Sequence, residues 1–364
     1  MTDDSMQASL LELIERLDHH DMIGYVQRFP NDLTEGFNAI NPDHLPWLDS
    51  IRLPWAGVLC LGMGGSAASG DFIASLAHRT GSVNIHVHRD YTLPHWFNPG
   101  WLVLATSHSG NTEETVAATE AALEQGATVI VFASGGMLAG LAEIHEQCHL
   151  IPLKSGQPPR TAFAQILARQ LALLRTIGVF QSEQEDHEQA MIERLTIANQ
   201  ALDITLHPEG DIALLASSMI NHPIAVLCPP EFTCVATRFK NQMNENAARF
   251  VRIGVVPEMN HNEIVAWGST SSIGDVQNEE QVVLILSHPF MHERVDQRLQ
   301  WFVAHCPTEH AWNINGEGQT LLEVMLYHCL VMDWLSLTVS FLHGKDPNLI
   351  EPIDALKGFL QSVQ

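Results

Sequence analysis

Short apolar runs rich in β-branched residues alternate with segments of helical periodicity along most of the chain. In the first half, the candidate strands are 57–62, 83–88, 101–106, 127–132 and 147–153. Helices fit the apolar spacing at 66–78, 112–125 and 161–177. Strands that alternate with helices in this way form parallel sheets covered by helices. The first half therefore predicts an α/β sandwich.

The second half repeats this rhythm. Its candidate strands are 223–228, 250–255, 281–286 and 309–313, and its candidate helices are 232–248, 290–304 and 319–342. We predict the α/β class, with two doubly wound parallel-sheet sandwiches related by duplication and flanked by N- and C-terminal helices. The predicted segments are an N-terminal helical region at 1–40, a first domain at 41–180, a connector helix at 181–206 and a second domain with C-terminal helices at 207–364.

The composition argues against two classes of partner. The 364 residues carry 18 Lys and Arg against 42 Asp and Glu, which gives a net charge of −24. A chain this acidic is poorly suited to binding nucleic acid or an anionic membrane. With 46% hydrophobic and 16% charged residues, the chain is predicted to fold throughout.

The cysteines and the N-terminus favour a cytoplasmic location. The six cysteines are scattered in mostly apolar surroundings without a Cys-x-x-Cys pair, as expected for reduced thiols; they are Cys60, Cys148, Cys228, Cys234, Cys306 and Cys329. The N-terminus begins acidic, whereas a signal peptide begins basic. The apolar stretch 321–342 has the length of a membrane span, but it contains Glu323, His328 and Asp333, which predicts a buried helix instead.

A glycine-rich turn follows the first candidate strand, in the sequence GVLCLGMGGSAASGD. Gly62, Gly64 and Gly65 lie between that strand and a helix that opens at Ser66. Such a turn presents backbone N–H groups and the positive end of a helix to an anion. The spacing G-x-G-x-x-A from Gly62 also matches the dinucleotide fingerprint, although the acid expected at the end of the second strand is displaced to Asp90. A purely structural tight turn is the other alternative.

Three hydroxyls cluster where the third candidate strand ends, in the sequence TSHSGNTE. Ser107, Ser109 and Thr112 lie at a strand-to-helix junction, where they can converge with the helix N-terminus on one small anion. A role for Thr112 as a helix N-cap accounts for one of these hydroxyls but not for three. The two loops together favour a small-phosphate site over a dinucleotide site.

The sequence HEQCH fits the H-E-x-x-H pattern of zinc proteases, with its histidines at His145 and His149. That pattern requires both histidines on one face of a helix. Here the predicted helix ends near His145, and His149 belongs to a strand pattern. We therefore predict no metal site.

The pair GMGGSAASGD and SHSGNTEET resembles the sugar isomerase (SIS) domain, in which two such loops hold the phosphate of a phosphosugar. In the second half, RFKNQMNENA at 238–247 and PEMNHNE at 257–263 resemble the signature of the bifunctional phosphoglucose/phosphomannose isomerases. This resemblance extends over nearly the whole chain. It implies two SIS domains, a homodimer with a dimeric active site, a small sugar phosphate as substrate and no cofactor.

The resemblance also assigns roles to individual residues. It implies Glu245 as the catalytic base and His261 as the histidine that opens the sugar ring. It places Arg160 beside the reacting carbons and, through a looser motif, Lys357 in the active site. The residues implied in phosphate binding are Gly64, Gly65, Ser66, Ser107, Ser109 and Thr112. An aldose–ketose isomerisation through a cis-enediol needs such groups, because protons move between C1 and C2 and between oxygens while negative charge develops.

The residue types alone leave ordinary structural roles open. A carboxylate on a helix is usually solvated, so Glu258 and Glu263 are as good candidates for the base as Glu245 until the motif is considered. A histidine between two asparagines fits a loop hydrogen bond. Arg160 fits an ion pair in this acidic chain, and Lys357 fits a solvated surface.

The expected function is the interconversion of glucose 6-phosphate and fructose 6-phosphate, with mannose 6-phosphate as a further substrate. The alternatives are a non-catalytic phosphosugar sensor, which usually carries a basic helix-turn-helix, and a monofunctional phosphoglucose isomerase. Glucosamine 6-phosphate synthesis would need an additional glutaminase domain. The resemblance implies a small threonine before the C-terminal lysine, but 346–352 reads DPNLIEP, in which Leu349 or Ile350 would narrow the space beside C2.

Overall fold

The structure, a computed structural model, describes residues 9–51, 54–181, 185–268, 280–305, 308 and 310–363. The chain forms two compact units. We call Arg28–Thr196 the N-terminal unit, and Met1–Gln27 together with Ile197–Gln364 the C-terminal unit. The predicted region 1–40 is therefore divided between the units, and the boundary between them falls inside the predicted connector 181–206.

The described helices and strands follow the predicted alternation. The helices are α1 Leu10–Leu17, α2 Met22–Gln27, α3 Phe29–Asn38, α4 Gly64–Thr80, α5 Glu113–Glu124, α6 Gly136–Ile144, α7 Phe163–Thr176, α8 Glu185–Leu202, α9 Asp211–Met219, α10 Thr233–Ala247, α11 Ile264–Trp267, α12 Glu293–His305, α13 Leu321–Leu342 and α14 Glu351–Ser362. The strands are β1 Gly57–Gly62, β2 Ile85–His88, β3 Trp101–Thr106, β4 Val129–Ala133, β5 Cys148–Pro152, β6 Ile224–Cys228, β7 Val251–Val255, β8 Val282–Ser287 and β9 Ala311–Asn315. Every predicted strand is confirmed, and the α/β class with it.

The N-terminal unit is built on a five-stranded parallel sheet in the order β2-β1-β3-β4-β5. All residues of β1 and β4 are buried, as expected for strands covered by helices on both faces. The chain leaves β1 toward one edge of the sheet and later returns to β3 on the other side of β1. The carboxyl ends of β1 and β3 thus flank a topological switch point, where ligands of open α/β sheets bind.

The C-terminal unit repeats this topology with a four-stranded parallel sheet in the order β7-β6-β8-β9. The connection from β6 to β7 through α10 runs in one direction across the sheet, and the connection from β7 to β8 runs in the other. Because such crossovers are right-handed, the two connections lie on opposite faces of the sheet. Packing supports this placement of the second connection, because its residues Met259 and Trp267 lie in one apolar cluster with residues of β6 and β8.

The N-terminal region is divided because its helices pack into different cores. Leu10, Met22 and Val26 from α1 and α2 join Trp334 and Phe341 of α13 in one apolar cluster. By contrast, α3 packs against α7 within the N-terminal unit. Periodicity along the sequence marks these segments as helices but carries no information about which core each helix joins.

Helix α13 is a buried core helix, as predicted. It is long and apolar enough to cross a membrane, but 94% of its apolar window is buried inside the protein. Its acid at Asp333 is paired with Arg238 through two hydrogen bonds of 2.6 and 2.8 Å. Such pairing is what allows a carboxylate to lie in an apolar interior.

The cysteines of the described part of the chain are all buried, and no disulfide joins any of them. Burial raises the pKa of the Cys148, Cys228 and Cys329 thiols to about 12. These thiols therefore stay protonated at neutral pH and have little nucleophilic character. Cys306 lies outside the described residues.

Acidification is expected to destabilise the C-terminal unit through His328. Burial lowers the pKa of this fully enclosed histidine on α13 to about 4, although the carbonyls of Val324 and Ile314 face its ring nitrogens at 2.8 and 3.1 Å. The folded state thus favours the neutral ring. The stability it contributes is present above the unfolded pKa of ~6.5 and is lost as the pH falls toward 4, by on the order of 3 kcal/mol.

Urea unfolding at several pH values between 7.5 and 4.5 measures this effect in wild type and His328→Gln. The variant is expected to be less stable at pH 7.5 because the ring packing is lost. Its free energy of unfolding should, however, fall less steeply with acid than that of the wild type. Parallel pH curves for the two proteins would contradict the assignment.

Candidate active site

The loop from β1 into α4 requires glycine at the positions that the sequence marks. Gly64 opens α4 with a φ of +51°, which side chains rarely adopt. A Cβ on Gly65 would lie 2.9 Å from Cα and 3.1 Å from N of Arg160, so the two backbones touch. Arg160, which is buried in the 3-10 helix Pro159–Ala162, is thereby held against the first turn of α4.

The loop from β3 into α5 contains a compact cluster of hydroxyl groups. The buried Ser107 Oγ lies 2.8 Å from Thr112 Oγ1 and accepts the backbone N–H of Gly110 at 3.1 Å. Ser109 is exposed and accepts the N–H of Asn111 at 3.3 Å, which leaves its own hydroxyl proton available. Gly110 has a φ of +71°, and a Cβ there would lie 1.8 Å from the carbonyl oxygen of Gly135.

One hydrogen bond joins the two loops. The backbone N–H of His108 donates to Ser66 Oγ at 3.2 Å, and both groups are buried. The first turns of α4 and α5 therefore sit side by side at the switch point, with hydroxyls and backbone N–H groups around them. This is the arrangement expected of a site for a small anion, which helix N-termini attract.

The Thr112 side chain does not act as a helix cap. Thr112 occupies the N-cap position of α5, but its side chain makes no capping hydrogen bond to the helix backbone. Its hydroxyl pairs with Ser107 instead. The hydroxyl is therefore part of the loop's polar cluster.

The dinucleotide alternative is also disfavoured. The strand order places β2 at the edge and matches the flavodoxin-like order of doubly wound sheets, not the dinucleotide-binding one. After β2, Arg89 pairs with Asp71 at 2.6 Å, and the Asp90 carboxylate accepts the N–H of Tyr91 at 2.6 Å. The acid needed for a ribose is thus engaged by its own loop.

His108 is a residue of this site that the sequence reasoning missed. Its ring is held by the carbonyl of Lys154 at 2.9 Å, and its own carbonyl accepts the Ser134 hydroxyl at 2.7 Å. Burial lowers the pKa of His108, which favours an uncharged ring at neutral pH. Its contribution is to fix the backbone that contacts Ser66. Its position inside the SHSGNTE motif is the only signal that the sequence offered.

Glu245 lies half-buried in the last turn of α10, whose register is fixed by polar contacts with α13. Gln242 donates to Asp333 at 2.9 Å, and Asn246 donates to Ser336 at 2.9 Å. With Arg238 one turn earlier, these residues recur at every fourth position and form a buried polar stripe. The stripe holds the helix, and Glu245 with it, at one rotation about its axis.

The competing carboxylates are occupied in structural contacts. Glu263 accepts the indole N–H of Trp267 at 3.0 Å and lies 3.4 Å from the Arg252 guanidinium. Glu258 accepts the side-chain amide of Asn262 at 3.1 Å. The motif alone therefore distinguishes Glu245 from these two carboxylates as the candidate base.

His261 and Lys357 lie at exposed positions of the C-terminal unit. His261 ends the 3-10 helix Glu258–His261 after β7. Lys357 lies on α14, none of whose residues is buried in the described chain. The structure therefore places these two side chains at the surface of the single chain.

The zinc-like HEQCH sequence does not form a histidine pair on one helix. His145 is the C-cap of α6, whereas His149 lies in β5 with its ring stacked on Trp47 at 4.5 Å. Within the described residues, no group of three or more His, Cys, Asp and Glu side chains is arranged to hold a metal ion.

Comparisons with known proteins agree with this geometry. Residues 210–360 match the family model of the bacterial phospho-glucose isomerase C-terminal SIS domain. A bifunctional phosphoglucose/phosphomannose isomerase from Aquifex aeolicus is 30% identical over 331 residues, which cover 89% of this chain and 96% of that protein. The chain belongs to the bifunctional phosphoglucose/phosphomannose isomerase family. This confirms the resemblance inferred from the two loops and the NEN segment.

A second family member, from Caldicellulosiruptor bescii, is 26% identical and covers 84% of this chain, with 90% of its own length matched. Among solved structures, the C-terminal domain of glucosamine-fructose-6-phosphate aminotransferase from Francisella tularensis has a TM-score of 0.71 at 12% identity, covering 90% of this chain and 97% of its own. At that identity the likeness concerns the fold alone, and it confirms the tandem SIS architecture.

Proposed function

We propose that this family member interconverts glucose 6-phosphate, mannose 6-phosphate and fructose 6-phosphate through a cis-enediol intermediate. The observation that carries the proposal is the junction of two helix N-termini through Ser66 and His108, with Arg160 packed against the first loop. A sugar phosphate would be held there by its phosphate group. The names of the relatives supply the substrates.

The phosphate is assigned to the backbone and hydroxyl groups of the two loops. These are contributed by Gly64, Gly65, Ser66, Ser107, Ser109 and Thr112. Neutral donors and helix dipoles suit a chain of net charge −24, because they attract one dianion locally without a basic surface. Arg160 is assigned to the enediolate, whose negative charge a guanidinium stabilises.

Proton transfer is assigned to three residues of the C-terminal unit. Glu245 removes the proton from one carbon and returns it to its neighbour, while His261 and Lys357 carry the protons of the ring oxygen and O1. In the gluco and manno substrates the same enediol forms, so one base serves both if the C2–C3 bond can rotate.

The active unit is proposed to be a homodimer, with His261 supplied by the second copy. Glu245 ends α10, close to where β7 begins, whereas His261 follows the carboxyl end of β7. The two residues also belong to crossovers on opposite faces of the sheet. Within one chain, Glu245 and His261 therefore lie on opposite faces of the sheet. They also lie near opposite ends of β7, which is about 13 Å long. This separation supports the proposal that one site combines Glu245 of one chain with His261 of another.

A cytoplasmic location completes the proposal. It is supported by the buried, unbridged thiols, which are typical of reducing compartments. Nucleic acid and membrane partners are not proposed, because of the strong negative charge.

NMR of the purified protein incubated with fructose 6-phosphate tests the proposed function. We expect both glucose 6-phosphate and mannose 6-phosphate to accumulate toward equilibrium. Glucose 6-phosphate alone, at long times and high protein concentration, would show a monofunctional isomerase. Binding of fructose 6-phosphate without turnover would favour the sensor instead.

The phosphate assignment predicts a binding defect when the loop hydroxyls are removed. Ser109→Ala and Thr112→Val should each raise the KM for fructose 6-phosphate by about 10- to 100-fold, because each deletes a hydrogen bond to a charged group. Ser50→Ala, which removes an exposed hydroxyl bonded to the Trp47 carbonyl, is the matched control and should leave KM unchanged. Unchanged KM in the loop variants, or no competition by inorganic phosphate, would reject the assignment.

A further inference from the structure

The ammonium group of Lys345 is held by backbone carbonyls of the C-terminal unit. Its Nζ donates to the carbonyl oxygens of Glu245 at 3.0 Å, Asp346 at 3.0 Å and Leu349 at 2.9 Å. A lysine ammonium carries three protons, so these contacts use its whole donor capacity. Lys345 is half-buried, which strengthens such charge-assisted hydrogen bonds relative to those at an open surface.

The three carbonyls belong to two different parts of the C-terminal unit. The Glu245 carbonyl is one of the last four of α10, which have no partner within the helix, and a cation is favourable at that end of a helix. Asp346 and Leu349 belong to the segment between α13 and α14. One side chain therefore ties the residue that carries the base to the segment that leads into the helix of Lys357.

A neighbouring hydroxyl reinforces the same junction. Ser340 Oγ lies 2.6 Å from the carbonyl oxygen of Asn246 and 2.9 Å from that of Lys345. Ser340 is buried on α13, so the junction is anchored to the core helix of the unit. The end of α10 and the start of the C-terminal segment are thus joined by two side chains, Lys345 and Ser340.

We infer that Lys345 is a positioning residue for isomerisation, which fixes Glu245 and the C-terminal segment relative to each other without contacting substrate. This inference rests on the proposed function, because it assumes that Glu245 and Lys357 act on one substrate. Effective proton transfer requires the acid and base to be aligned closely, and a displacement of about 1 Å costs up to ~100-fold in rate. If Lys345 only stabilised the fold, its replacement would lower the melting temperature and leave the kcat of the folded protein unchanged.

The test compares Lys345→Met with Lys240→Met. Lys240 is a half-buried lysine on α10, the helix that carries Glu245, so its variant controls for loss of a half-buried cation near that residue. The measurements are kcat and KM for fructose 6-phosphate and the inhibition constant of inorganic phosphate. For Lys345→Met we expect kcat to fall by about 10- to 100-fold, with KM and the inhibition constant within threefold of wild type. Lys240→Met should match wild type, and Lys345→Arg should recover part of the loss.

A wild-type kcat in folded Lys345→Met would overturn the inference, and so would an equal loss in Lys240→Met. If Lys345→Met does not fold, Ser340→Ala replaces it, with an expected loss in kcat of several-fold at constant KM. An unchanged kcat in Ser340→Ala then overturns the inference.

Hydrogen exchange separates failure of the inference from failure of the proposed function. If the wild type lacks isomerase activity, the proposed function is wrong. The tie itself is then judged by exchange in α14 and in the last turn of α10, which should be faster in Lys345→Met or Ser340→Ala than in wild type. Equal exchange rates in the variant and the wild type would show that the Lys345 contacts do not stabilise α14 or the last turn of α10.

Discussion

Glu245→Gln is expected to lower kcat by ~10²–10⁴-fold while KM for fructose 6-phosphate stays within threefold, because a general base acts in the transition state whereas the loops of the N-terminal unit set most of the ground-state binding. The amide has nearly the same shape as the carboxylate and leaves the polar stripe of α10 intact. The fold is therefore expected to survive. Steady-state kinetics on protein of verified melting temperature measure the effect.

Glu258→Gln and Glu263→Gln are the matched controls, since both carboxylates are occupied in local contacts. Each should retain kcat within about threefold of wild type. A Glu245→Gln enzyme that turned over within threefold of wild type would reject Glu245 as the base. In wild type, solvent deuterium should appear at C2 of recovered glucose 6-phosphate, because a proton held by a carboxylate can exchange while the enediol is bound.

The sequence was sufficient to locate the strands and the two loops that follow β1 and β3. The β-branched runs mark strands because these strands are buried on both faces, so apolar residues are continuous along them. The glycines of the loops are dictated by local geometry, as the positive φ of Gly64 and Gly110 shows. Features set by such local requirements can be derived from the order of residues alone.

Contacts between distant segments could not be derived in this way. The bond from His108 to Ser66 spans 42 residues, and the bond from Lys345 to the Glu245 carbonyl spans 100. Both donors are ordinary residues whose partners are brought near only by tertiary packing. The division of the N-terminal helices between two cores has the same origin, because amphipathic helices of similar pattern can pack on either core.

The other large effect concerns the second copy of the chain. Glu245→Gln and His261→Asn should each be nearly inactive alone, but mixing them should restore activity. If His261 serves the site of the partner, a mixed dimer holds one site with both substitutions and one site with neither. Equal mixing with random exchange makes half of the dimers mixed, so activity should return to about one quarter of wild type.

The experiment mixes equal amounts of the two variants, allows subunits to exchange and follows isomerase activity with time. His261 is exposed, so its replacement by Asn should cost little stability. The control mixes Glu245→Gln with the double variant Glu245→Gln/His261→Asn, in which every site lacks the base and no activity should return. If both residues of one site came from one chain, every site of a mixed dimer would carry a lesion, and the first mixture would also stay inactive. Recovery therefore discriminates between the two arrangements, and the sheet that separates Glu245 from His261 within a chain is the physical reason to expect it.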